Sequence, residues 1–481
     1  MATTTSTRLS PVKLFIFIFA FRLLNSLTIQ TFFQADEFFQ ALEPAHHFVY
    51  GYGYLTWEWK QQLRSAIHPL IYAVGYKLAG DNTTLVHVVP KIISALIATI
   101  GEYNLYKFVE VYKNEELAWI TLMLSLFNPF NWYVSTRSFS NNLETVLTVL
   151  ALRYWPWDKK ISKSWYLSLA FGLVSCIIRP TNVLIWTPLG IWLLANTKIT
   201  AKWILLSIVE VAAIMVLNTG LDYYFYQQHT FPLYNFLEFN VIKNLSIFYG
   251  TAPWHFYVFQ AIPLMLMLYL PLTLYGLEKS VLLVTGLIYL IGFSLIQHKE
   301  FRFIYPLHPI MLYFTARGYH KLKPKYVIVG IFVNILIGLF FTNVHERGVL
   351  DVAHYLQDSP SIGFITPCHS TPWQSYFHNP ELNAWFLTCE PPLHLNKPSM
   401  EEIRAYRDES DQFYDSPKGF LDAHLGADLP YPEHLVVFEP LEGFINEELG
   451  VTYHECKRFF NSYFHWDSRR NGDVIVFCKN R

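Results

Sequence analysis

Charge is what this chain has least of. Asp, Glu, Lys and Arg make up 15% of its 481 residues, against about 25% in soluble domains. With 52% hydrophobic and 17% aromatic residues, that deficit excludes an ordinary soluble fold and points to a membrane. Several motifs are missing as well. There is no G-x-x-x-x-G-K-[S/T] and no G-x-G-x-x-G after a strand, which argues against a glycine loop cradling phosphate. There is no D-x-D, so a metal–carboxylate grip on a nucleotide-sugar diphosphate has no support. Neither H-E-x-x-H nor C-x-x-C occurs, and a zinc site lacks its ligands. Basic clusters are short and flank apolar runs, so nothing suggests nucleic acid as a partner. No internal repeat or low-complexity segment is present.

What is present divides at about residue 342. Residues 1–342 carry 25 Lys and Arg against 16 Asp and Glu, whereas 343–481 carry 11 against 21. Within the first part, apolar runs near 12–33, 90–110, 116–135, 140–157, 164–178, 181–197, 202–220, 257–275, 281–297, 304–316 and 325–342 predict about eleven transmembrane helices. The expected fold class is therefore an α-helical polytopic membrane protein. Its domains are a transmembrane body, 1–342, with a long loop at 34–89, and a mixed α/β domain at 343–481. The first run is long and contains Arg22, so it reads as a signal anchor rather than a cleaved leader.

Lys and Arg favour the cytosolic side of short loops. "WDKKISK" and "HKLKPK" are the clearest anchors; Arg8 precedes the first run and Lys13 lies at its start. They put the N-terminus in the cytosol, and an odd number of spans puts the acidic tail in the lumen. The sequons at Asn82 and Asn244 fall in expected luminal loops, where glycosylation can occur. Cys368, Cys389, Cys456 and Cys478 all lie in the tail. An oxidising lumen permits two disulfides among them, in any of three pairings.

Carboxylates at a membrane boundary are costly unless water, a cation or a substrate receives them. Asp36 and Glu37 nonetheless follow the first run at once, among four phenylalanines in "TFFQADEFFQALEPAH". The stretch reads as a short interfacial helix ending before Pro44. Asp36, Gln40 and Glu43 would share its polar face, and the phenylalanines would anchor it in the bilayer surface. One carboxylate could take a proton from an acceptor hydroxyl; an acid at a helix start is also favoured by the macrodipole alone. "HPLIYAVGYKLAG" (68–80) is too short to span and reads as re-entrant or interfacial.

A second polar stretch, "QHKEFRF", sets His298, Lys299, Glu300 and Arg302 between two apolar runs. Cations on the expected luminal side ask for an anion such as a lipid phosphate, although snorkelling would also account for them. "STRSFSNNLET" adds Arg137, Asn141, Asn142 and Glu144, and "IIRPTN" adds Arg179 and Asn182. "GYGYLTWEWKQQLRS" offers Trp57, Glu58, Trp59 and Arg64, where a tryptophan can be a belt residue or a sugar platform.

Together, the acidic pair, "HKEFRF" and "TRSFSNNLET" resemble the dolichol-phosphate-mannose-dependent mannosyltransferases of the endoplasmic reticulum. These are multispanning GT-C enzymes of glycosyltransferase family 22. "QADEFFQALEPAHHFVYGYGYLTWEW" and "TPCHSTPWQSYFH" resemble the branch acting on the glycosylphosphatidylinositol (GPI) precursor. The resemblance implies two lipid-linked substrates, dolichyl-phosphate-mannose and a GPI precursor bearing two mannoses. It further implies transfer of the third mannose, α-1,2-linked, by an inverting single displacement on the luminal face of the reticulum membrane. Asp36 is then the expected base, with Glu37 second. His298, Lys299, Glu300, Arg302, Arg137, Arg179, Trp57, Glu58 and Arg64 are the expected substrate-binding residues. No metal or other cofactor is expected, since phosphate is already a good leaving group. The alternatives are a sister enzyme adding the fourth GPI mannose or building N-glycans, and, in another class, a polytopic lipid or solute transporter.

Overall fold

The computed structural model describes residues 10–319 and 324–480. Arg8 and the segment 320–323, which holds Lys321 and Lys323, lie outside them. The chain forms two compact units: 1–28, 88–224 and 252–338 make the first, and 29–87, 225–251 and 339–481 the second. The units thus group the chain differently from a single cut at 342/343. Residues 29–87 pack with the tail because buried groups in them find partners there, as shown below, and 225–251 join through Phe239 and Leu245, which cluster with Trp57, Leu63, Leu393 and Leu395.

The first unit is helical. The apolar runs in it are helical, and among the described residues five helical stretches are long and apolar enough to cross a membrane: Pro11–Thr28, Thr83–Tyr112, Ala201–Tyr226, Tyr257–Gly276 and Tyr326–Tyr355. Ser164–Ile178 and Val281–Leu295 are apolar but shorter. Two expected runs are broken. The run 116–135 divides into Glu115–Leu126 and Pro129–Val134. Pro129 cannot continue a helix but can start one, and the Asn128 side chain caps the new start by accepting from the Asn131 N–H at 2.7 Å. The run 257–275 is a chain of short π, α and 3-10 turns that includes Pro263 and Pro271.

Polar side chains inside this unit pair with one another. Arg22 is fully buried and bonded to Glu102. Ser125 and Asn131 also donate to Glu102, at 3.0 and 2.9 Å. An arginine in an apolar helix is therefore matched within the bundle instead of facing lipid. Glycine sets one helix contact. A Cβ on Gly276 would stand 1.8 Å from the Phe314 carbonyl oxygen, and one on Gly318 2.0 Å from that of Leu272. Only glycine lets these two helices approach so closely. Thr273 and Thr315 share a hydrogen bond of 2.7 Å beside them.

The second unit holds one five-stranded sheet: β1 (Ser361–Phe364), β2 (Asn383–Phe386), β3 (His434–Phe438), β4 (Tyr453–Ser462) and β5 (Gly472–Lys479), in the order β2-β1-β3-β5-β4. β1 is parallel to β2 and β3, whereas β5 is antiparallel to β3 and β4. The apolar "LVVF" of β3 and "VIVF" of β5 are buried throughout, as central strands require. Leu435, Val437, Ile475 and Phe477 meet Phe413, Phe420 and Ile445 from the covering helices. Disulfides join Cys368 to Cys389 and Cys456 to Cys478, which selects one of the three pairings open to the sequence.

Candidate active site

In the second unit, residues 36–50 form one continuous helix with a π turn at Phe38–Leu42. It does not end before Pro44, as the sequence predicts. The Glu43 N–H reaches back to the Phe38 carbonyl, and Pro44 has no N–H for the next one. That orphaned Phe39 carbonyl is taken up by the indole N–H of Trp59 at 2.9 Å. A π turn thus absorbs the proline without breaking the helix; such bulges are frequent at functional sites.

Asp36 and Glu37 occupy the first turn, both half-buried. The expected polar face is buried in protein, not in water. Gln40 donates to Glu58 at 3.3 Å, and Glu58 is also bonded by both Nε and Nη2 of Arg64. Trp57 stacks on Tyr249 with ring centroids 6.2 Å apart. Burial raises the Tyr249 phenol well above its ordinary pKa, and the carboxylates of Glu58 and Asp36 raise it further. Asp36, Glu58, Arg64, Trp57 and Tyr249 therefore share one neighbourhood.

Glu43 is fully buried and accepts three backbone N–H groups: Tyr54 at 3.0 Å, Gln374 at 3.1 Å and Ser375 at 2.8 Å. Burial raises its pKa, and these bonds offset part of the rise. Gly53, at φ +123°, passes so close that a Cβ would lie 2.8 Å from the Glu43 Oε1. His46 bonds His378 at 2.9 Å, and His87 stacks on Tyr376 with centroids 4.6 Å apart. Phe39 stacks on His369, centroids 4.2 Å apart, and Phe32 on Phe38. The phenylalanines thus anchor the acidic helix to protein, correcting the expected bilayer anchorage. Sequence reasoning missed Glu43 as a tie to the tail, and His46 with His378; each partner lies more than 300 residues away.

Other expectations divide. Helix Ile67–Ala79 buries His68, Tyr72 and Tyr76 and exposes Val74 and Leu78, an amphipathic form that suits the interfacial reading. Asn82 is exposed, whereas Asn244 is half-buried with Ser246 buried beside it, which makes it a poor acceptor site. Among the described residues, Cys368, His369 and Cys389 are the only group close enough to share a metal ion. Their sulfurs are bonded to each other, which leaves a single imidazole.

In the first unit, "QHKEFRF" folds around Glu300. Arg302 donates to it twice, Nε at 2.7 Å and Nη2 at 3.0 Å, and the His298 Nε2 lies 3.3 Å away. Burial pushes the Glu300 carboxyl up, but Arg302 and His298 outweigh it and hold the group well below the usual range. Lys299 is held otherwise, by the carbonyl oxygens of Ala252, at 2.9 Å, and Ile296. Those acceptors satisfy its protons without cancelling its charge, and burial lowers its pKa. Arg302 lies over the Phe139 ring, 5.3 Å from its centre, and Arg179 over Phe303 at 5.0 Å. Arg179 also pairs with Glu144 at 3.5 Å, to which Asn182 donates at 2.9 Å. Arg137 is buried against Tyr133, and Asn142 bonds the Arg137 carbonyl, fixing the turn that carries Phe139. The structure thus gathers His298, Glu300, Arg302 and Phe139, with Arg179 beside them, while Arg137 supports them from behind.

The chain aligns over 97% of its length, and 97% of the partner's, with ArnT from Cupriavidus metallidurans bound to undecaprenyl phosphate, at 13% identity and a TM-score of 0.59. The apo state of that protein aligns with a TM-score of 0.60. Residues 13–378 match the Alg9-like mannosyltransferase family, and the chain belongs to it. Its relatives include proteins named GPI mannosyltransferase 3. That of Candida albicans is 76% identical over 99% of this chain and 100% of its own length. That of Debaryomyces hansenii is 54% identical over 97% and 92%, and that of Saccharomyces cerevisiae 35% identical over 98% and 96%. The family match ends at His378, the residue that meets His46.

Proposed function

We propose that this glycosyltransferase adds the third mannose, α-1,2-linked, to the GPI precursor, with dolichyl-phosphate-mannose as donor. The observation that carries the reading is the 76% identity, over both full lengths, to a GPI mannosyltransferase 3. The chemistry fits a single inverting displacement. Asp36 removes the proton from the 2-hydroxyl of the second mannose, whose oxygen attacks C1 of the donor sugar. The C1–O bond to phosphate breaks, and dolichyl phosphate leaves with its negative charge increased. Lys299 meets that charge best, since carbonyl oxygens hold its ammonium and leave its charge uncancelled. Arg302, fixed by Glu300, and His298 orient the phosphate. Donors that strengthen as charge develops lower the barrier. No metal is required. Trp57, Glu58 and Arg64 sit beside the base and bind acceptor sugar.

In this reading the N-terminus is cytosolic, about eleven helices span the reticulum membrane, and both the acidic helix and the sheet domain are luminal. A transporter should fail on substitution of the helix acids Glu102, Glu144 and Glu210, whereas a transferase should fail at Asp36. Lipid analysis of cells lacking the protein tests the assignment: a GPI precursor stalled at two mannoses should accumulate. A stall at one or three mannoses would sink it.

A further inference from the structure

The turn between β4 and β5, residues 463–471, carries aromatic side chains where hairpin tips usually carry small polar ones. Trp466 is 89% exposed, Tyr463 73% and Phe464 58%. They are not spill-over from the core, because the adjoining Asn461 and Ser462 are buried. The turn is fixed to the end of helix Pro324–Asn343. Phe464 stacks on His345, centroids 4.7 Å apart, and Tyr463 lies parallel to Phe340 at 6.5 Å. The Glu346 N–H donates to the Asn461 carbonyl at 2.8 Å, and the Val349 N–H to its side chain at 3.3 Å.

That helix is one of the five apolar enough to cross a membrane, and its Phe332, Ile335, Leu336 and Leu339 are exposed. The aromatic turn therefore packs on the end of a helix suited to a membrane, next to the exposed Leu339. Rings with an apolar body and a polar N–H or O–H tip favour that level of a bilayer, the headgroup region.

We propose that the β4–β5 turn, through Tyr463, Phe464 and Trp466, is a lipid-binding anchor that seats the sheet domain on the bilayer surface. Its occupant is phospholipid, because the turn stacks on the end of a helix apolar enough to cross a membrane. Val451 supplies the internal control. It is 94% exposed and lies at the other end of β4, a strand of 10 residues and so about 30 Å long.

The test uses the full chain with Cys176, the free cysteine, replaced by alanine. An environment-sensitive fluorophore is attached at Trp466→Cys or at Val451→Cys, and the protein is placed in phosphatidylcholine nanodiscs. Lipid carrying a nitroxide close to the headgroup should quench the probe at 466 by about twofold or more, and leave that at 451 nearly unchanged. Tyr463→Cys should match 466, which guards against a label that distorts the turn. Equal quenching at 451 and 466, or emission at 466 that follows protein concentration and ignores the nitroxide, overturns the proposal; the latter would assign the patch to a second copy.

Discussion

Glu43→Ala is the substitution from which the structure predicts most. The wild-type carboxylate holds three backbone N–H groups, two of them in the tail, at 2.8–3.1 Å. Removal leaves those donors buried without acceptors. Each such donor costs about 1–3 kcal/mol, and relief of the carboxylate's own desolvation returns part of that. The net loss should be about 3–4 kcal/mol, or a fall of roughly 10 °C in Tm for a unit of this size. Glu43→Gln should lose less, since its amide oxygen can keep Tyr54 and Gln374 while its NH2 group confronts the Ser375 N–H. Thermal unfolding in detergent gives the magnitude, and hydrogen exchange gives the place: the Gln374 and Ser375 amides should exchange far faster in the alanine variant. A Tm unchanged within a degree or two, with both amides still protected, would refute the argument.

Burial lowers the pKa of His46, His68 and His369 to about 3 each, from 6.5. Their depressed values mean the folded state binds fewer protons, so stability is complete above pH 6.5 and falls as pH drops toward 3. From pH 6.5 to 5 each can cost up to about 2 kcal/mol, and melts across that range should show a steep loss; a flat profile would contradict it. Lys299→Met should lower kcat/KM for donor by about 10²-fold or more with the fold intact, read in a transfer assay at varied dolichyl-phosphate-mannose; an unchanged value would remove Lys299 from the site.

Much of this architecture was legible in the sequence. Apolar run length located the helices, and the mixed α/β reading of 343–481 agrees with the sheet and covering helices found there. The motif "QHKEFRF" stood out as a candidate site because cations are disfavoured at its expected position. What escaped was everything set by contacts distant in the chain. Pro44 reads as a helix stop, and only the indole of Trp59, which takes the freed carbonyl, shows why the helix goes on. Phe39 in a run of phenylalanines reads as a membrane anchor, because the sequence does not reveal that His369 covers it. The acids likewise read as one polar face; Glu43 left it because backbone donors from the tail can hold a buried carboxylate. Disulfide pairing and the grouping of 29–87 and 225–251 with the tail have the same cause.

The role of Asp36 as the base is the central claim, and its most direct test is the initial rate of mannose transfer by the purified full chain. With dolichyl-phosphate-mannose and the two-mannose acceptor, Asp36→Asn should slow transfer by about 10²–10⁴-fold, without change in Tm or donor affinity, while Glu37→Gln remains active. An Asp36→Asn protein that still transfers mannose near the parent rate would contradict the account.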